Sequence, residues 1–308
     1  MTRTRTALAL ALALLIVPGV AAADDENDDS PQPVTWVRFV NVRPGHSEDF
    51  VKLIMEARGE VLDNLMEEGH VLSWGVFVPF NRDADTNWTH GIWATYPDWS
   101  HMDQFIAAAE AADRELSEVE RGRQERKFRE IVELQDTHDI VTRRLAAPSA
   151  EMEEMPDGPP RYMRMGFYKV KPGHVDQAVA LYNEYAAPTY EELIRTGAIY
   201  SAGLSAQELV TSDDWTLMSW SVLGSLAGVD AVDNAFETAN EQRTEAEREA
   251  MMEAFMEHFE WEGYRSKIIR FIHLGGQGQG DGEHAAKENA DDNAAETKVA
   301  VEDSATND

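Results

Sequence analysis

Val37-Arg38-Phe39-Val40-Asn41-Val42-Arg43-Pro44-Gly45-His46-Ser47-Glu48-Asp49-Phe50 has a second version in the same chain, Met165-Gly166-Phe167-Tyr168-Lys169-Val170-Lys171-Pro172-Gly173-His174-Val175-Asp176-Gln177-Ala178. Each is an apolar strand, a basic residue, a Pro-Gly-His turn and the start of a helix. The register holds well past the turn. Leu65 and Leu193, Gly69 and Gly197, and Gly75 and Gly203 keep the offset of 128. Beyond one loop the offset is 127, which pairs Trp88 with Trp215, Trp93 with Trp220, Phe128 with Phe255 and Arg143 with Arg270. A one-residue slip in a loop is what a duplicated domain tolerates. A solenoid would repeat every 20–50 residues or so.

Within a repeat the pattern reads β-α-β-β-α-β. Residues 34–42 are β-branched and aromatic and predict a strand. Phe50, Leu53, Ile54, Ala57, Val61 and Leu65 recur at helical spacing, and Gly69 stops that helix. Residues 71–78 and 87–95 predict a hairpin across the polar loop Asn81 to Asp85. One long helical segment is expected from about Asp98 to Leu134, then a closing strand over 138–145. In the second repeat Pro188 should break or kink the first helix. This is an α+β chain of two tandem ferredoxin-like units.

The strand ending in Val-x-Pro-Gly-His, followed by a helix with an early aromatic, resembles the dimeric α/β-barrel superfamily. That group includes antibiotic-biosynthesis monooxygenases and EthD-like and NIPSNAP-like proteins. Two such units in one chain also resemble the layout of chlorite dismutases and dye-decolourising peroxidases. The resemblance spans residues 34–147 and 161–274. It implies two sheets packed face to face, here from the two halves of one chain. It also implies pockets for flat aromatic or polyketide-like molecules, which some relatives oxygenate without metal or flavin, and haem in some tandem relatives.

Outside the repeats, residues 1–23 predict a secretory signal: Arg3 and Arg5, an apolar core from Ala7 to Val17, and Ala21-Ala22-Ala23 as cleavage site. That core is short for a membrane span. The mature chain is expected to be exported, to the periplasm or the medium. Residues 24–33 and 275–308 predict acidic disordered ends, and 148–160 a Pro-containing linker. The net charge is −30. The signal contributes +2, the lead-in −5 and the tail −7, leaving about −20 on the repeats. Such a surface repels nucleic acid and anionic lipid. The absence of cysteine excludes disulfides and thiolate chemistry.

The repeats differ in the residues that carry chemistry. Five of the eight tryptophans and five of the nine histidines fall in the first repeat. Along the expected strand Trp88, His90 and Ile92 share one face, with Trp93 on the other. His90, whose counterpart is Leu217, is the candidate catalytic base; a histidine buried in an apolar pocket stays neutral, as a base requires. Trp88, Trp93, Trp74 and Phe39 are the candidate ligand-binding residues, in a pocket between sheet and helices of the first repeat. His258 replaces Ile131 among Met251, Met252, Phe255, Met256, Phe259 and Trp261, and is the position that would ligate a haem. Asp83, Asp85 and Asn87 alternate as in a calcium loop but lack its glycine and closing glutamate, so a hairpin turn is expected and no metal site. His46 and His174 read as first-turn surface residues.

Three functions compete at this level. One is binding of a small apolar or aromatic molecule, with or without cofactor-independent oxygenation. The second is haem binding through His258. The third is a scaffold without a site. Whether two chains pair further is open.

Overall fold

Each Pro-Gly-His turn works through its glycine. Gly45 and Gly173 have φ of +83° and +81°, a region other L-residues rarely enter. In the computed structural model, which describes residues 32–81, 86–156, 158–209 and 214–275, this turn joins β1 (Val34–Val42) to α1 (Ser47–Ile54). A π-helical turn over Met55–Gly59 leads into α2 (Glu60–Glu67). Then come β2 (Ser73–Pro79), β3 (His90–Tyr96), α3 (Trp99–Glu115), α4 (Glu118–Ile131) and β4 (Val132–Ala146). The second repeat gives β5 (Tyr162–Val170), α5 (Val175–Tyr185), α6 (Ala187–Arg195), β6 (Ser201–Leu209), β7 (Leu217–Leu223), α7 (Ala227–Glu241), α8 (Glu245–His258) and β8 (Phe259–Leu274). The expected signal, most of the acidic lead-in and tail, and Asp83 and Asp85 lie outside the described residues.

Three expectations need correction. The helix expected from Asp98 to Leu134 is two helices. Ser117 accepts from the backbone of Glu120 while the Glu120 side chain bonds back to Ser117, a capping box that starts α4 afresh. Strand β4 is 15 residues long, not eight, because it serves two neighbours. It pairs with β1 from Val132 to Arg143 and with β6 from Val141 to Ala146. Strand β3 starts at His90, so Trp88 is not part of it. In the second repeat the chain does break, at Ala186, just before Pro188 in the first turn of α6.

Each repeat forms a four-stranded sheet in the order β4-β1-β3-β2 or β8-β5-β7-β6. The two sheets join edge to edge through β2·β8 and β4·β6, both antiparallel, into a closed eight-stranded barrel. No strand of the barrel is left as an unpaired edge, which removes the template for edge-to-edge association. The cyclic order maps β1 to β5, β3 to β7, β2 to β6 and β4 to β8 without reversal. The pseudo-twofold therefore runs along the barrel axis, and equivalent residues face one another from opposite walls.

Each sheet carries apolar clusters on both of its faces. In the first repeat Phe50 and Leu62 of the helices pack on Val40, Trp74, Val76, Ala94 and Tyr96 of the sheet. In the second, Tyr182 and Tyr190 of the helices pack with Val170, Ile199, Leu204 and Leu217. A third cluster lies inside the barrel: Phe77, Trp88, Met165 and Ile269, with Val37, Phe39, Trp93, Met163, Phe167, Met218, Trp220 and Phe271 around them.

Candidate functional site

The five residues expected to form one pocket are divided by the sheet. Trp88, Trp93 and Phe39 belong to the cluster inside the barrel. Trp74 lies on the helix side, 1% exposed, and its indole N–H donates to Asp63 Oδ1 at 2.8 Å. His90 is also on the helix side, against Phe50 at 5.2 Å between ring centroids. The cause is the late start of β3. Thr89 turns the chain by donating its N–H to Val40 O and accepting from Val42 N–H through Oγ1. Strict alternation therefore does not extend back to Trp88.

His90 has both ring nitrogens engaged. Nε2 is 2.7 Å from Ser47 Oγ, and Nδ1 is 2.9 Å from Thr89 Oγ1. A neutral imidazole there donates on one side and accepts on the other. This ties β3 to the first turn of α1. The Ser47–His90 spacing is that of a nucleophile and its base, but the orienting partner is a hydroxyl, which cannot stabilise an imidazolium as a carboxylate does.

His258 lies at the end of α8, with Nδ1 2.7 Å from Nδ1 of His174. The methionines expected to build an apolar slot around it, Met252 and Met256, are 49% and 53% exposed. The space between helices and sheet of the second repeat is filled by side chains, including the stacked pair Tyr182 and Tyr190, 6.1 Å between centroids. Burial pushes both phenols up from their ordinary pKa. Seven of the eight tyrosines are in this repeat, an asymmetry that sequence reasoning passed over. These residues do not fit a haem. Among the described residues no group of three or more His, Cys, Asp or Glu is placed to hold a metal ion, and no helix is long and apolar enough to cross a membrane.

The barrel interior is built from repeated parts. Phe39 packs on Trp88 at 4.9 Å, and its counterpart Phe167 packs on Trp215 at 5.3 Å. Trp93 crosses over Gly75 in β2, and Trp220 crosses over Gly203 in β6. A Cβ on Gly75 would lie 2.2 Å from Trp93, and one on Gly203 would lie 2.4 Å from Trp220. These glycines let two indoles lie flat against the inner wall.

Equivalent positions on the two walls nevertheless differ in polarity. On one wall Thr95, Thr35, Thr142 and Gln207 sit side by side across β3, β1, β4 and β6. Their counterparts are Val222, Met163, Ile269 and Pro79, side by side across β7, β5, β8 and β2. Next to the threonines, Ser205 pairs with Arg144, where the other wall has Phe77 paired with Phe271. Arg144 lies over the Trp220 ring at 5.6 Å, whereas Phe271 lies on Trp93 at 5.0 Å. Trp220 Nε1 donates to Ser205 Oγ at 3.1 Å. The barrel interior at this level thus has an aromatic wall and a wall of hydroxyls ending in a guanidinium. None of these polar residues stood out in the sequence. The signal was Arg144 against Phe271, one position beyond the Arg143–Arg270 pair.

No family model matches the chain, and no curated protein sequence matches it. Among solved structures the backbone is similar to a candidate monooxygenase of Lactobacillus acidophilus NCFM, with a TM-score of 0.47 and 11% identity over 80% of this chain and 97% of that one. It is similar to an anthrone oxidase-like protein, with a TM-score of 0.46 and 16% identity over 80% and 93%. A haem-binding protein of Thermus thermophilus gives 0.44 and 10% over 78% and 91%. Similarity at this level concerns the path of the backbone alone. Strand order and closure through two seams make this chain a dimeric α/β barrel folded from a single polypeptide.

Proposed function

We propose that the protein binds a small apolar or aromatic molecule inside the barrel, between Trp93 and Phe271 on one side and Trp220 and Arg144 on the other. One observation carries this reading. On the helix face of the first sheet Val40, Trp74, Val76 and Tyr96 are sealed at 0–1% exposure, while Trp36 is partly buried. Among the rings of the barrel interior Phe77 and Trp88 are buried, whereas Phe39, Trp93, Phe167, Trp220 and Phe271 keep partial accessibility although the barrel around them is closed. An interior packed to the density of a protein core would leave no such surface. An apolar chamber with a few polar anchors is the common form of a small-molecule site.

The function proposed is binding of the ligand. Cofactor-independent oxygenation needs a base beside the ligand; His90 faces the helices instead, and the histidine on the inner face of β4 is His138, stacked on Phe39 at 5.0 Å. The threonine hydroxyls can orient a ligand but do not accept a proton near neutral pH. The ligand is met after export, with cleavage near Ala23.

The test is native mass spectrometry of the mature protein purified from its own host, with a titration that follows tryptophan fluorescence. Retained small-molecule mass that is lost in Trp93→Leu and Trp220→Leu, and kept in His90→Gln, supports the reading. A clean apo mass and no fluorescence response to aromatic compounds would leave the barrel as a scaffold.

A further inference from the structure

We infer that the ligand of this chamber is an anion, an aromatic carboxylate whose charged end is held by Arg144. The inference rests on the binding function proposed above and adds the ligand's charge and orientation.

Arg144 is a part-buried arginine on the inner face of the barrel, held without an acidic partner. Arg38, Arg58, Arg143, Arg164 and Arg195 each pair with an Asp or Glu side chain. The chain has 57 acidic residues against 27 basic ones, so an arginine finds an acidic neighbour easily. Among the described residues Arg144 has no ion pair, and its contact is the face of Trp220. Its neighbour Arg143 points the other way and forms a two-pronged pair with Glu208. Burial lowers the pKa of Arg144, whose side chain is half-buried. Arginine nevertheless stays charged. A desolvated cation without a counter-charge costs stability, and a ligand oxyanion would offset that cost.

The surroundings fit a carboxylate with a flat body. Trp220 and Trp93 offer ring faces. Thr35 and Thr95 share one hydroxyl contact at 3.0 Å. The Thr142 hydroxyl, on a residue only 3% exposed, lies between Thr35 and Gln207 on the same wall. It can donate to the second carboxylate oxygen. At the level of Arg144 the opposite wall is Met163, Ile269 and Phe271, all apolar; the other cations on the inner face of β8, Lys267 and Arg265, lie further along it beside Met165 and Phe167. At the position equivalent to Arg144, Phe271 does the apolar half of the same task.

The protein's own charge sharpens the expectation. A net charge of −30 repels an approaching anion over roughly a Debye length, about 10 Å at 0.1 M salt. The association rate for an anionic ligand should therefore rise with ionic strength, the reverse of steered binding.

The experiment compares 2-naphthoate with its neutral isostere 2-naphthamide by fluorescence titration of the mature chain. The wild type should bind the acid at least about ten-fold more tightly, the scale of one charge-assisted hydrogen-bond pair. Arg144→Gln should bring the ratio to about one, Arg144→Lys should keep part of it, and Arg143→Gln should leave it unchanged. Equal affinity of the wild type for acid and amide overturns the anion inference while the binding function stands. A preference that survives Arg144→Gln overturns it as well, by placing the anion elsewhere. Binding of neither probe removes both the inference and the function it rests on.

Discussion

Gly75→Ala is the substitution whose cost follows most directly from the geometry. Gly75 sits in β2 at the seam where the second repeat's β8 joins the first repeat's sheet. An added Cβ would lie 2.2 Å from Trp93 Cη2 and 2.4 Å from the backbone oxygen of His273. The indole can rotate away, but the backbone oxygen belongs to the seam and cannot. Overpacking by one carbon costs about 1–3 kcal/mol, and the immovable partner puts this site at the upper end. Restricting the unfolded chain returns about 0.4–1 kcal/mol. The net loss is about 2 kcal/mol, a fall in Tm of about 4–8 °C for a domain pair of this size. Gly203 has the same position in the other seam but meets Trp220 Cζ2 at 2.4 Å and the Ala146 oxygen at 2.9 Å. Its alanine variant should lose about half as much, roughly 1 kcal/mol. Differential scanning calorimetry of single and double variants separates the causes. Trp220→Phe should rescue Gly203→Ala almost fully, and Trp93→Phe should rescue Gly75→Ala only in part. An unchanged Tm for Gly75→Ala, or its full rescue by Trp93→Phe, would refute a barrel closed through β2·β8.

Three further outcomes are expected. Arg144→Met should raise the stability of the ligand-free protein by about 1–3 kcal/mol, because it removes an unpaired desolvated charge; a fall in Tm in the apo protein would make Arg144 a structural residue. His90→Gln should leave ligand titrations intact yet cost about 1–3 kcal/mol in urea unfolding, since Ser47 and Thr89 lose their shared partner. His273, against Trp74 at the β2·β8 seam, has its pKa lowered by burial, opposed in part by Asp63. A depressed histidine binds fewer protons folded than unfolded, so its contribution is complete above its ordinary value of 6.5 and is lost as pH falls through that value toward the folded-state pKa. Between pH 7.5 and 5.5 the wild type should lose stability by chemical denaturation and His273→Asn should lose less; parallel slopes would sink this assignment.

The repeated Pro-Gly-His turn made the fold legible, because a positive φ after proline admits few residues and two copies at one offset admit few topologies. The site was legible only in part. Alternation along β1 and β3 tells which residues share a face, but both faces carry large apolar side chains, so it does not tell which face meets helices and which meets the other sheet. Trp74 and Trp93 were therefore placed together when the sheet separates them. His90 looked like a pocket residue beside Trp88 because the turn at Thr89, made by a hydroxyl bonding to β1, has no mark in the pattern. Trp and His counts drew attention to the first repeat, whereas the chamber is built by both, with Trp93 and Trp220 as equivalent parts. His258 sits in a run of methionines at helical spacing that proved to be surface. Arg144 carries meaning only when set against Phe271 on the opposite wall, and that comparison requires knowing that both point inward.

The most direct measurement is a crystal structure of the mature protein soaked with 2-naphthoate. The account predicts difference density inside the barrel, the ring system between Trp93 and Trp220 and the carboxylate against Arg144. Density between helices and sheet of either repeat, or a barrel interior closed by its own side chains at saturating ligand, would contradict it.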